Sequence, residues 1–218
     1  MSESQGARYG ARTPGRHTRL ARAGRTGRIA SMSEDQPRPL LYLVVCAAPP
    51  AQHIDELVEL LHQAGWHICV IPTPRAASWV DCRVLAQQTG YPIRHDHRLP
   101  GNPDSLPRAD AIAVVPATFN TINKWATGIS DTFALGILNE AIGLKLPIII
   151  VPYAKPSLAA HPEFGRNLEK LAEWGVNVLP NEVIRVRSEK QVTETDGYDT
   201  PAPRFSWGPV VDAVARSL

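Results

Sequence analysis

An α/β fold built on a parallel sheet is what this sequence predicts, and three observations carry the prediction. Continuous apolar runs of strand length recur along the chain, the first being LLYLVVCAA at Leu40 to Ala48. Segments with apolar residues at helical spacing lie between them. The two patterns alternate at the rhythm of βαβ crossovers, which cover both faces of a parallel sheet with helices and make three layers.

The elements follow in order. LLYLVVCAA does not alternate with polar residues, the mark of a strand covered on both faces. HIDELVELLHQAG (His53 to Gly65) places Ile54, Leu57, Leu60 and Leu61 on one helical stripe and closes at Gly65. WHICVIP is a second strand, and SWVDCRVLAQQTG a short helix closed by Gly90. After a loop rich in Pro, His and Asp, ADAIAVVPA supplies a third strand. VVPATFNTINKWATGISDT (Val114 to Thr132) then turns at a proline into a helix. LNEAIGLKLPIIIVPYA gives the end of that helix or a separate one, followed by a strand from Pro147 to Val151. HPEFGRNLEKLAEWG sets Phe164, Leu168, Leu171 and Trp174 at helical spacing, VNVLP is a last short strand and VVDAVARSL a terminal helix. The stretch at about 190–208, polar and proline-rich, reads as a surface flap.

With 218 residues and 44% hydrophobic content, the chain can bury one sizeable core, assigned to residues 37–218. No apolar run approaches the ~18 residues that cross a bilayer, so a soluble protein without a membrane partner is expected. Three cysteines, Cys46, Cys69 and Cys82, without C-x-x-C spacing argue against disulfides or zinc, so no metal is expected, and for a reducing compartment, the cytoplasm. The net charge of +2 hides an asymmetry. Residues 1–31 hold seven arginines against Glu3, a net +6 that leaves −4 on the remainder. Residues 1–36 lack the large apolar side chains that would offset ordering entropy, and read as a disordered basic tail or an over-extended start with Met32 as the alternative. Arginine without aromatic interleaving is weak support for nucleic acid as a partner.

Ligands of such sheets bind at the carboxyl ends of the strands, so the loops after each strand are the ones to inspect. The first, CAAPPAQ, has no glycine and is neither a dinucleotide fingerprint nor a P-loop. The second offers the Thr73 hydroxyl, the Arg75 guanidinium and the Trp79 indole, suited to a phosphate and a flat ring. The same Thr73 fits a helix cap and Trp79 a core position. The third is Pro-Ala-Thr-Phe-Asn-Thr, a run of small and hydrogen-bonding residues at the mouth of a helix.

PATFNTINK followed by GISD is similar to the P-A-S-A-N-T-x-x-K…G-I-x-D pattern of the homo-oligomeric FMN-containing cysteine decarboxylases, flavoproteins that include phosphopantothenoylcysteine decarboxylase and peptidyl-cysteine decarboxylases. VIPTPRAASWV and HPEFGRNLEKLAEWGVNVL resemble two further segments of that family, in order and spacing, over roughly Leu40 to Pro180. The resemblance implies a Rossmann-like, flavodoxin-like fold, FMN as cofactor, self-association as a homotrimer or a dodecamer of trimers, and a small-molecule or peptide substrate with an anionic group. It implies cofactor contacts at Ala48, Pro49, Thr73, Trp79, Ala117, Thr118, Thr121 and Lys124. Asn120 matches an asparagine that holds the substrate carboxylate, and Lys124, one helical turn on, shares its face. The 190–208 flap would close over the cofactor.

Two departures set this chain apart. The position of the family's catalytic histidine falls on Asn102, which cannot titrate and so cannot act as a base. A shifted loop would bring His95 or His97 there instead. The family's substrate clamp, with its two methionines, asparagine and tryptophan, is replaced by PYAKPSLAAHP, leaving Tyr153 and Lys155 as candidate substrate contacts. His161 is retained beside Pro162 and reads as a cap or packing residue. The expectation is an FMN-binding flavoprotein of undefined reaction, a lyase or oxidoreductase of the decarboxylase type if it is an enzyme. The alternatives are a non-catalytic flavin carrier or regulatory subunit, and an active decarboxylase using His95 or His97. Flavin prenyltransferases share the fold but lack the Asn-Thr motif.

Overall fold

The computed structural model describes residues 38–97, 101, 106–181, 183–186 and 205–218. The basic tail with Met32, Asn102 and the 190–204 part of the flap lie outside the described residues.

Among the described residues five strands form one sheet: β1 (Leu40–Val45), β2 (His67–Pro72), β3 (Ala111–Ala117), β4 (Ile148–Pro152) and β5 (Asn177–Val178). All pairings are parallel and the order is β2-β1-β3-β4-β5. β1, β3 and β4 are buried almost throughout, which explains why they read as unbroken apolar runs.

Side chains alternate across the sheet and build two cores. On one face Leu41, Leu43, Ile149 and Val151 meet α1 (Ile54–Gln63), α2 (Cys82–Thr89) and, near the C-terminus, α7 (Gly208–Ala215). On the other, Val44, Ile112, Val114, Ile148 and Ile150 meet α3 (Phe119–Ala126), α4 (Phe133–Leu144) and α6 (Pro162–Glu173). This is the three-layer arrangement expected. The alternation slips once, where β3 shifts register between Val114 and Ala117. That end of β3 contains a cis Val115–Pro116 bond, and Pro116 O accepts from Cys46 N at 3.1 Å.

Several boundaries differ from the sequence reading. The stripe of α1 is Ile54, Leu57, Val58 and Leu61, and Leu60 stands 38% exposed, because Leu57 and Val58 lie three and four residues after Ile54 and Leu61 lies four and three after them, all on one face. Trp174 caps α6 and is likewise exposed. Val114 to Thr132 does not lead into one helix: α3 ends at Ala126 and Gly128 adopts φ +76°. α4 then starts afresh after Thr132, whose hydroxyl accepts from Leu135 N at 3.3 Å. The strand placed at Pro147 to Val151 occupies Ile148–Pro152. α5 (Pro156–Ala159) is a single turn between β4 and α6.

Candidate functional site

In this strand order the chain leaves β1 toward β2 on one side, and later elements add on the other, beginning with β3. The loops after β1 and β3 therefore part company at the carboxyl ends of these strands, where a crevice must open. A cleft of about 470 Å³ lies there. Its lining includes Ala47 after β1, Thr73, Pro74 and Arg75 after β2, and Thr118, Phe119, Asn120, Thr121 and Lys124 after β3. Thr132 and Leu135 of the α4 start and Leu158 of α5 complete it. Another cavity of about 310 Å³, lined by Tyr42, Ile112 and Phe133 among others, is reached by residues early in β1 and β3 and not by the loops that follow the strands.

The cleft combines hydroxyls with apolar walls. Thr73 Oγ1 accepts from Ala76 N at 3.3 Å, at the start of a short 3-10 helix, Ala76–Ser78. Thr118 occupies the N-cap position of α3 without a side-chain cap bond; its hydroxyl lies 3.2 Å from Thr121 Oγ1. Thr121 is 5% exposed and also accepts from Cys46 Sγ at 3.3 Å. Burial pushes the Cys46 thiol up from its ordinary value, although the Thr121 and Thr118 groups beside it pull the other way. Asn120 is exposed on the first turn of α3, and Lys124, one turn on, is ion-paired with Asp131. Among the described residues lining the cleft, the ionisable side chains are Arg75 and Lys124.

The other candidate residues lie elsewhere. Ala117 is buried at the end of β3, where its carbonyl accepts from Tyr153 N at 2.7 Å. Ala48 is buried and Pro49 exposed at the start of a 3-10 helix, Pro49–His53, so the first loop meets the cleft through Ala47. Trp79 is 37% exposed at the end of its 3-10 helix and does not line the cleft. Neither do Tyr153 and Lys155. The Tyr153 ring packs on the opposite core, edge-on to Phe205 and under the Arg185 guanidinium at 4.7 Å, while Lys155 is exposed ahead of α5. His97 sets its ring edge-on to Phe133, with centroids 5.9 Å apart, and His95 is exposed; neither lines the cleft. His161 Nδ1 accepts from Glu163 N at 3.2 Å, capping α6, and joins Asn120 and Lys124 in a neighbouring groove of about 440 Å³. Sequence reasoning missed Ala47, Phe119, Thr132, Leu135 and Leu158 as lining residues. Of these only Thr132 carried a local signal, a hydroxyl residue just ahead of an apolar run.

Comparison with known proteins agrees with this fold. The profile of the flavoprotein family matches residues 29–217. The bifunctional coenzyme A biosynthesis protein CoaBC of Thermococcus kodakarensis is 39% identical over 96 residues, 44% of this chain and 23% of the relative. The chain thus spans less than a quarter of that relative's length. The flavin prenyltransferase UbiX of Chlamydia muridarum is 30% identical over 135 residues, 57% of this chain and 69% of the relative. Among solved structures, the FMN-dependent cysteine decarboxylase SpaF superposes with a TM-score of 0.62 at 18% identity, covering 82% of this chain and 97% of that one. TvaF, the FMN-dependent cysteine decarboxylase of thioviridamide biosynthesis, gives 0.59 at 25% identity over 66% of this chain and 90% of its own. The chain belongs to the flavoprotein family, and its likeness to the FMN-containing cysteine decarboxylases, first visible in Pro-Ala-Thr-Phe-Asn-Thr, extends to the whole fold.

Proposed function

We propose that this chain binds FMN in the cleft at the ends of β1, β2 and β3 and that the bound flavin serves a redox or lyase reaction other than cysteine decarboxylation. The observation that carries the reading is the position of the 470 Å³ cleft at the β1/β3 switch point, lined by the threonines of the Pro-Ala-Thr-Phe-Asn-Thr motif. The residues fit the group. Leu135, Leu158 and Pro74 offer apolar surface for a flat ring, Thr73, Thr118 and Thr121 offer hydroxyls to its polar edge, and Arg75 offers a guanidinium to a phosphate. Ala48, Pro49, Ala117 and Trp79 would support the cofactor from behind or from the rim.

Bound flavin supplies hydride-accepting chemistry that no side chain has. The protein's own part is placement. Asn120 presents an amide to an anionic group of the substrate, and Lys124, already paired with Asp131, orders the same helix face. The cleft's described lining offers no imidazole or carboxylate to take a substrate proton, and His95 and His97 stand away from it. Tyr153, engaged with Phe205 and Arg185, and Lys155 are the weaker substrate contacts. As in the family it resembles, the protein is proposed to act as a homotrimer.

The test is spectroscopic. Purified protein, or apoprotein mixed with FMN, should show bound-flavin absorbance in the visible; a colourless protein that takes up none would refute the proposal. Anaerobic mixing with a cysteine-terminated peptide should leave that absorbance intact, and bleaching would show that decarboxylase chemistry survives. The UbiX relative, matched over 69% of its length, favours one second reading in which flavin is the substrate. Mass spectrometry of the released flavin separates the two: FMN unchanged supports the cofactor role, and a gained prenyl group supports the second.

A further inference from the structure

Beneath the cleft a thiol and two hydroxyls stand together. Cys46 at the end of β1 is 1% exposed and donates to Thr121 Oγ1 at 3.3 Å. Thr121 Oγ1 is 3.2 Å from Thr118 Oγ1, and both threonines line the cleft. Thr118 spends no hydrogen bond on capping α3.

Each of these groups has one proton, and the chain can run in two directions. Running outward, the thiol donates to Thr121, Thr121 to Thr118, and the Thr118 proton is left for an acceptor in the cleft. Running inward, a group in the cleft donates to Thr118, Thr118 to Thr121 and Thr121 to sulfur, leaving the buried S–H without an acceptor. The outward direction satisfies all three protons once an acceptor occupies the cleft. The thiol keeps its proton because burial raises its pKa; the Thr118 amide and hydroxyl beside the sulfur engage its lone pairs and not the S–H, and an acceptor in the cleft competes with the sulfur for the Thr118 proton.

We propose that Cys46 is a positioning residue whose S–H sets the direction of the Cys46–Thr121–Thr118 chain, so that Thr118 presents a proton and not a lone pair to flavin bound in the cleft. The inference rests on the FMN reading above. A fixed donor aimed at a ring that gains negative charge on reduction favours the reduced form, so the effect reads out as a redox potential.

The experiment measures the midpoint potential of FMN bound to the full chain. Cys46→Val should lower the ratio of reduced to oxidised FMN affinity about threefold to tenfold, as loss of one hydrogen bond does. For a two-electron couple that is a fall of about 15 to 30 mV. Cys46→Ser, which restores a donor, should return the wild-type value. On a Thr118→Val background, Cys46→Val should shift the potential no further. An unchanged potential in Cys46→Val, failure of Ser to restore it, or an equal shift on the Thr118→Val background overturns the assignment. Should Cys46→Val not fold, Cys46→Ala makes the same comparison. Wild-type protein that binds no FMN overturns the functional reading and this inference together. Bound FMN with unresponsive potentials overturns only the inference.

Discussion

Thr121 shows how one residue links sequence, packing and site. Its motif placed it after a strand end, and burial with two hydrogen-bonding neighbours makes its hydroxyl consequential. Thr121→Val keeps the volume, removes the oxygen and leaves the Cys46 donor unpaired. FMN affinity should fall about fivefold to tenfold, the effect of about 1 to 1.4 kcal/mol, in a fluorescence titration. An unchanged dissociation constant would remove Thr121 from the account. Cys69 gives a prediction on stability. It is fully buried in β2, and burial pushes its thiol up to about 12 from 9.0. The unfolded chain loses that proton above about 9 while the folded one keeps it, so stability is fully present below about 9 and falls as pH rises toward 12. The slope approaches about 1.4 kcal/mol per decade of pH as an upper bound. Denaturant titrations from pH 8 to 11 should show this decline flattened in Cys69→Ala; parallel declines would contradict it. Thr118, Thr121, Asn120 and Lys124 were legible because the third strand-end loop announces itself by a change from apolar to polar residues and the family resemblance singled out these positions in and just after it. Leu135 and Leu158 were not, since an apolar side chain facing a cleft looks the same in sequence as one facing the core.

At the scale of elements, the α3–α4 break shapes the cleft. Gly128 ends α3 in a left-handed conformation, and Thr132 restarts the helix so that Thr132 and Leu135 form one wall. Thr132→Ala should cost about 1 kcal/mol by denaturant unfolding and weaken FMN binding, and Thr132→Ser should preserve both. A Thr132→Ala protein with wild-type stability would show that the cap does not hold this wall. The sequence left the break open because Phe119 to Leu144 is helix-compatible on both sides of a short Gly-Ile-Ser-Asp insert, where Gly128 and Thr132 are the local signals of an interruption. α1 was read correctly as an element with one wrong face residue. Leu57→Ala there should cost about 2 to 5 kcal/mol, and Leu60→Ala, at an exposed position, within about 0.5 kcal/mol. Equal losses would contradict the assigned face.

For the whole molecule, alternation of strand and helix was enough to predict a parallel three-layer sheet, because parallel strands need crossovers and crossovers need two covered faces. It was not enough to predict the order β2-β1-β3-β4-β5, which depends on the side to which each crossover returns. That order locates the cleft, and the family resemblance supplied what periodicity could not. The basic 1–31 segment is proposed to be dispensable for it. A chain beginning at Met32 should bind FMN within about twofold of the full chain and unfold at the same temperature. Weakened binding would assign the tail a part in the site. The central claim is that the β1/β3 cleft holds the flavin. A crystal structure determined with FMN tests it most directly. The account predicts the flavin ring among Thr73, Thr118 and Leu135; FMN in the cavity beneath α4, or none bound at all, would contradict it.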